Sequence, residues 1–154
     1  MRVSDIMTEA AVSDQADDTL AEAAHKMWEQ QTGSLIVMEG EELAGIITER
    51  DILKAVATGT ELEKTRVEDV MVRDLVTIHP SASLREAARV MTDRWIRHLP
   101  VIDQGKLVGI LSQRDLAGIL GTALNEPEAL QQLVEASELA RERRLHRIER
   151  GVWD

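Results

Sequence analysis

Gly45-Ile46-Ile47-Thr48-Glu49-Arg50-Asp51 returns 64 positions later as Gly109-Ile110-Leu111-Ser112-Gln113-Arg114-Asp115. Working outward from this pair, residues 3–57 align with 67–121 without a gap, 16 of the 55 positions being identical. Val3-Ser4-Asp5-Ile6-Met7 matches Val67-Glu68-Asp69-Val70-Met71. Leu20-Ala21-Glu22-Ala23-Ala24 matches Leu84-Arg85-Glu86-Ala87-Ala88, and each is followed by a methionine, Met27 or Met91. A repeat of this kind sets the architecture before any local pattern does. Two copies of one unit are expected to pack about a pseudo-twofold axis, with matching clefts between them.

Each copy reads as strand, helix, strand, strand, helix. In the first, Ala11–Ser13 is a short strand candidate, and Thr19-x-x-Glu22 is a capping box for a helix whose apolar face is Leu20, Ala23, Ala24 and Met27. Leu35–Met38 and Leu43–Ile47 flank the turn Glu39-Gly40-Glu41-Glu42 and form a hairpin. A helix from Glu49 to Ala57 ends at Thr58-Gly59. The second copy repeats this with a strand at Val76–Ile78 and a capping box Ser83-x-x-Glu86. Its helical face runs Leu84, Ala87, Ala88, Met91, Trp95. A hairpin of Leu99–Ile102 and Leu107–Leu111 follows, then a helix from Gln113. Met27 and Met91 read as core. Residues 58–66 are a polar connector.

The fold class is therefore α/β of the α+β type: a first repeat at 1–60, a second at 61–124 and a helical tail at 125–154. In the tail, Asn125 is placed to cap, with Pro127 and Glu128 in the first turn. Leu130, Leu133, Ala136, Ala140, Leu145, Ile148 and Val152 give an apolar stripe, suited to packing on the body, on a second copy or on a protein partner. Acidic residues come early in the tail and arginines late, which complements a helix dipole.

With 154 residues and a net charge of −10, the chain has the size of one domain and the wrong sign for a nucleic-acid surface. It has no cysteine, so neither disulfides nor thiolate metal sites are available. No apolar run reaches the length of a membrane span. Nor does Met1-Arg2-Val3-Ser4-Asp5 open a secretory signal. A cytoplasmic, free-standing protein with no membrane contact is the expectation. His25, His79, His98 and His146 lack metal-ligand spacing, and no nucleophile turn is present. No catalytic residue, metal or required cofactor is assigned, and the chain does not read as an enzyme.

These residues in this order resemble the cystathionine β-synthase (CBS) domain, a tandem pair of which is called a Bateman module. The second copy carries the family pattern almost position by position, including Pro80, Leu99-Pro100-Val101-Ile102-Asp103 and Gly105. The first departs from it with Ala16 for Pro80, Ile36 for Pro100 and Gly33-Ser34 for Arg97-His98. The resemblance spans residues 3–121 and implies a β-α-β-β-α unit doubled into a pair that commonly dimerises. It also implies regulation by an adenosine-containing ligand (AMP, ADP, ATP or S-adenosylmethionine) held in clefts between the repeats, with the signal passing through dimer or tail geometry.

The implied ligand residues are Thr48, Arg50 and Asp51, their counterparts Ser112, Arg114 and Asp115, and Arg97, His98 and Pro100. Ser/Thr-x-x-Asp at a helix start is also a capping box that needs no ligand. Both readings stand together. Gly45 and Gly109 in the preceding strand permit close backbone approach, and the following helix N-terminus suits a phosphate. The phosphate is expected near Arg97 and Arg114, with Asp115 on the ribose. Because Gly33-Ser34 stands opposite Arg97-His98, the two clefts should be unequal. A ligand-free dimerisation or adaptor protein acting through the C-terminal helix is the alternative.

Overall fold

The structure, a computed structural model, describes residues 1–9 and 13–123. Along the chain these comprise β1 (Ser13–Gln15), α1 (Leu20–Glu29), β2 (Ser34–Glu39), β3 (Glu42–Thr48) and α2 (Glu49–Ala57). The second repeat gives α3 (Leu84–Arg94), β4 (His98–Asp103), β5 (Lys106–Ser112) and α4 (Gln113–Ala123). The 125–154 helix lies outside the described residues, as do Ala11 and Val12 of the first strand.

The first sheet runs β1-β2-β3, with β1 parallel and β3 antiparallel to β2, and α1 packs on α2 beside it. The second sheet is only β4-β5, beside α3 and α4. The strand expected at Val76–Ile78 is reduced to one parallel bridge, Ile78 to Val101. The cause is visible one step further along. In the first repeat Ala16 donates its N–H to Met38 O at 3.1 Å. At the matching place stands Pro80, which has no N–H, so the ladder stops at Ile78, and on the other side Pro100, in the place of Ile36, has no N–H to extend it toward Val76.

α1 starts on the capping box foreseen at Thr19: Glu22 N–H donates to Thr19 Oγ1 at 3.2 Å, and Thr19 N–H donates to Glu22 Oε2 at 2.7 Å. Ser83 caps α3 by accepting from Glu86 N–H at 3.1 Å. Trp95 is not on the apolar face of α3. The helix ends at Arg94, and Trp95 caps it with φ 56°; its counterpart Gln31, one residue past the α1 cap Gln30, has φ 52°. Ala88 is likewise solvent-facing, while Leu84 and Val90 pack on the core.

Each half has its own core, and each core includes residues from the other repeat. Leu20, Ala23, Met27, Leu35, Val37 and Ile47 enclose Val67 and Met71, which open the second repeat. Ala87, Met91, Leu99, Val101 and Leu111 enclose Val3, which opens the first. Backbone bonds fix the exchange: Val3 N–H to Ala82 O at 2.9 Å, and Val67 N–H to Asp18 O at 2.8 Å. Val3 and Val67 are both fully buried. The connector is also less idle than its composition suggests, for Leu62 packs on the first core and its carbonyl accepts from Ala21 N–H.

Candidate functional site

The two Ser/Thr-x-x-Asp turns sit where β3 passes into α2 and β5 into α4. Asp51 Oδ2 accepts from Thr48 N–H at 2.8 Å and from Thr48 Oγ1 at 3.2 Å. Asp115 Oδ2 accepts from Ser112 N–H and Oγ, both at 2.7 Å, and Asp115 N–H donates back to Ser112 Oγ at 3.3 Å. The capping role is therefore real. In each turn the bonds fall on one oxygen, and Oδ1 accepts none among the described residues.

Two clefts open at these turns, and each joins a turn of one repeat to the helix–strand corner of the other. The first, about 230 Å³, is lined by Thr48, Arg50 and Asp51 of the first repeat together with Arg94–His98 and Pro100 of the second. Val72, Asp74, Leu75 and Val76 close it. The second, about 770 Å³, joins Ser112, Arg114 and Asp115 to the corner from Met27 to Ser34, with Thr8 in the place of Val72. The geometry brings together all nine residues singled out from the sequence, six in the first cleft and five in the second. Arg97 and His98 line both. The clefts are unequal, as the Gly33-Ser34 departure suggested.

The walls differ in kind. The first cleft combines apolar side chains (Val72, Leu75, Val76, Ile96) with the arginines Arg50, Arg94 and Arg97. The second is faced largely by amides and hydroxyls, with exposed Trp28 at its edge. Between them the Arg97 guanidinium donates to Glu49 Oε1 at 2.9 Å, both side chains remaining about half exposed. Burial, followed by the neighbouring Arg97 charge, holds the His98 imidazole below its ordinary pKa and so favours its neutral form.

Gly45 and Gly109 do permit close approach, but what approaches is the chain itself. A β-carbon on Gly45 would stand 2.7 Å from Val72 O, and one on Gly109 would stand 2.8 Å from Thr8 O. Each glycine admits the opening segment of the other repeat, through the bridges Ile46–Val72 and Thr8–Ile110. Sequence reasoning also missed Glu49, whose place in the first turn of α2 reads as ordinary dipole complement. In the structure a β-carbon on Gly33 would meet the Glu49 carboxylate carbon at 3.3 Å, a relation that no local pattern announces.

Among the described residues no helix is long and apolar enough to cross a membrane, and no cluster of His, Asp and Glu is placed to hold a metal ion.

Comparison with known proteins gives this geometry its family. The CBS-domain model matches residues 3–58 and 67–121. The CBS domain-containing protein YhcV of Bacillus subtilis (strain 168) is 39% identical over 116 residues, covering 75% of this chain and 82% of that protein. A solved structure of a protein with CBS domains from Burkholderia ambifaria MC40-6 superposes with a TM-score of 0.74 at 35% identity, over 76% of this chain and 91% of that one. The CBS domain pair of MJ0100, solved with 5′-methylthioadenosine and S-adenosyl-L-methionine, gives a TM-score of 0.72 at 27% identity, over 80% and 98%. With two matched copies, crossed cores and a turn-built cleft on either side of the pseudo-twofold, the chain belongs to the CBS-domain family and carries a tandem CBS pair.

Proposed function

We propose that this CBS pair is a regulatory module that senses an adenosine-containing ligand, bound first in the cleft at Thr48–Asp51. The observation that carries the reading is the joining, in one cleft, of an apolar wall, three guanidinium groups and the Asp51 carboxylate, whose Oδ1 accepts no bond among the described residues. Apolar walls suit an adenine ring. Asp51 Oδ1 suits the vicinal hydroxyls of ribose. The N-terminus of α2, Thr48 Oγ1, Arg50 and Arg97 suit a phosphate. Ser112, Arg114 and Asp115 supply the parallel groups for a second ligand, with Arg97 and Arg114 on its phosphate. The adenosine compounds bound by the MJ0100 pair support the ligand class.

Ligand state is read out through a homodimer. Leu53 and Val56 on α2 are 68% and 57% exposed, an apolar pair on the helix that starts at the first cleft. Closing the cleft on a ligand would shift this helix and with it the dimer contact.

Thermal unfolding in the presence of AMP, ADP, ATP, S-adenosylmethionine, NAD and cyclic dinucleotides tests the ligand. At one hundred times its dissociation constant a ligand adds about 2.7 kcal/mol. For a domain of this size that raises the melting temperature by about 5–10 °C. A flat response across the panel at millimolar concentration overturns the reading in favour of a ligand-free dimerisation module. Light scattering with and without the active ligand then checks the dimer.

A further inference from the structure

We propose that Arg97 is a single phosphate-binding group shared by the two clefts, so that a nucleotide phosphate in the first withdraws it from the second and the two sites bind with negative coupling. This rests on the reading of both clefts as nucleotide sites. Arg97 and His98 alone among the described residues line both. The pseudo-twofold would supply a second arginine at residue 33, but Gly33 stands there, and the Glu49 side chain fills the space beside it. One guanidinium therefore serves two sites.

Glu49 holds that guanidinium between them. It follows Thr48 of the first cleft in the chain, lines the second, and accepts from Arg97 Nη2 at 2.9 Å. So exposed an ion pair shifts an equilibrium by no more than about fivefold, which a doubly charged phosphate can overcome. Glu49 thus retains Arg97 when both clefts are empty and releases it to whichever fills first. His98 is a weaker substitute, because burial and Arg97 itself hold its pKa below the ordinary imidazole value. The loss falls unequally. With Arg97 engaged elsewhere the first cleft keeps Arg50 and Arg94, whereas the second keeps only Arg114.

Calorimetry with AMP and with adenosine tests the coupling. In the wild-type protein the second AMP should bind at least about fivefold more weakly than the same cleft binds AMP when the first is blocked by Asp51→Ala. Asp51→Asn, which retains an acceptor for Thr48 N–H, serves as the cap-preserving check. Adenosine, which lacks the phosphate, should show no such difference. In an Arg97→Ala background the difference should vanish for AMP too, and Glu49→Gln should tighten the first AMP by up to about fivefold. Equal AMP affinity of the second cleft, whether the first is filled or blocked, overturns the coupling. So does a single binding event per chain that Asp51→Ala abolishes, and both results leave the ligand reading intact. Absence of heat with either ligand overturns the reading and the coupling together.

Discussion

Val72 O lies 2.7 Å from the point where a β-carbon on Gly45 would stand, and Met71 Sδ lies 2.9 Å from it. Gly109 has the same relation to Thr8 O and Met7 Sδ. A backbone oxygen cannot swing aside as a flexible side chain can. Gly45→Ala and Gly109→Ala should each destabilise the protein by about 1–3 kcal/mol, read as lower urea midpoints. Gly118, within α4, has no neighbour within 4 Å among the described residues. There Gly118→Ala should stabilise by about 0.5–1 kcal/mol.

Asp14 is 2% exposed at the position where the second repeat carries Ile78. Its Oδ1 accepts from Lys26 Nζ at 2.8 Å, and its buried Oδ2 accepts from no donor among the described residues. Burial first, and the hydrogen bond with Asp18 second, push its carboxyl from 3.8 up to about 6. An acid raised on folding contributes stability that is complete below about pH 4 and is lost as pH climbs through about 6. Asp18, lowered chiefly by the same hydrogen bond, works in the opposite sense. Subtracting the profile of Asp14→Asn from that of the wild type should therefore leave a fall in stability between pH 4 and 6. Its size is at most on the order of 3 kcal/mol, measured by denaturant melts across that range.

Val3 and Val67 are fully buried in cores that belong mostly to the opposite repeat. Either valine changed to alanine should cost about 1.5–3 kcal/mol, and the damage should appear far from the mutation in sequence. Val3→Ala should speed amide exchange at Leu99 and Val101, and Val67→Ala at Leu35 and Ile47. Exchange accelerated within the mutated residue's own repeat would contradict the crossed cores.

Trp95 lines the first cleft, Trp28 borders the second, and the chain has neither tyrosine nor phenylalanine. In a Trp28→Leu, Trp153→Leu variant, AMP should quench the remaining Trp95 emission in proportion to occupancy of the first cleft. Quenching confined to a variant that keeps only Trp28 would place the base in the second.

The repeat, both hairpins and all four helices of the two repeats were legible because duplication shows every pattern twice and capping signals are local. Pairings made between the two repeats were not, since nothing near Val3 or Val67 marks which core will receive them. That is why Gly45 was legible as a point of close approach while the approaching group was not. The failed strand at Val76–Ile78 turned on Pro80 and Pro100, which match the family pattern and so drew no attention as positions lacking a donor. The nine cleft-lining residues could be named from type and order. Their division between two clefts could not, because it depends on which repeat's corner faces which turn, and Glu49 offered nothing but a charge in a first turn.

The crossed opening segments bear on how such a protein could be cut or assembled. A polypeptide bearing one repeat alone would leave a gap in its own interior and offer a loose segment able to fill the same gap in a twin. It would close only by trading segments with that twin. Joining two repeats through residues 58–66 makes the trade internal and independent of concentration. Severing that connector should therefore yield two pieces that rejoin on mixing, each incomplete until it meets the other.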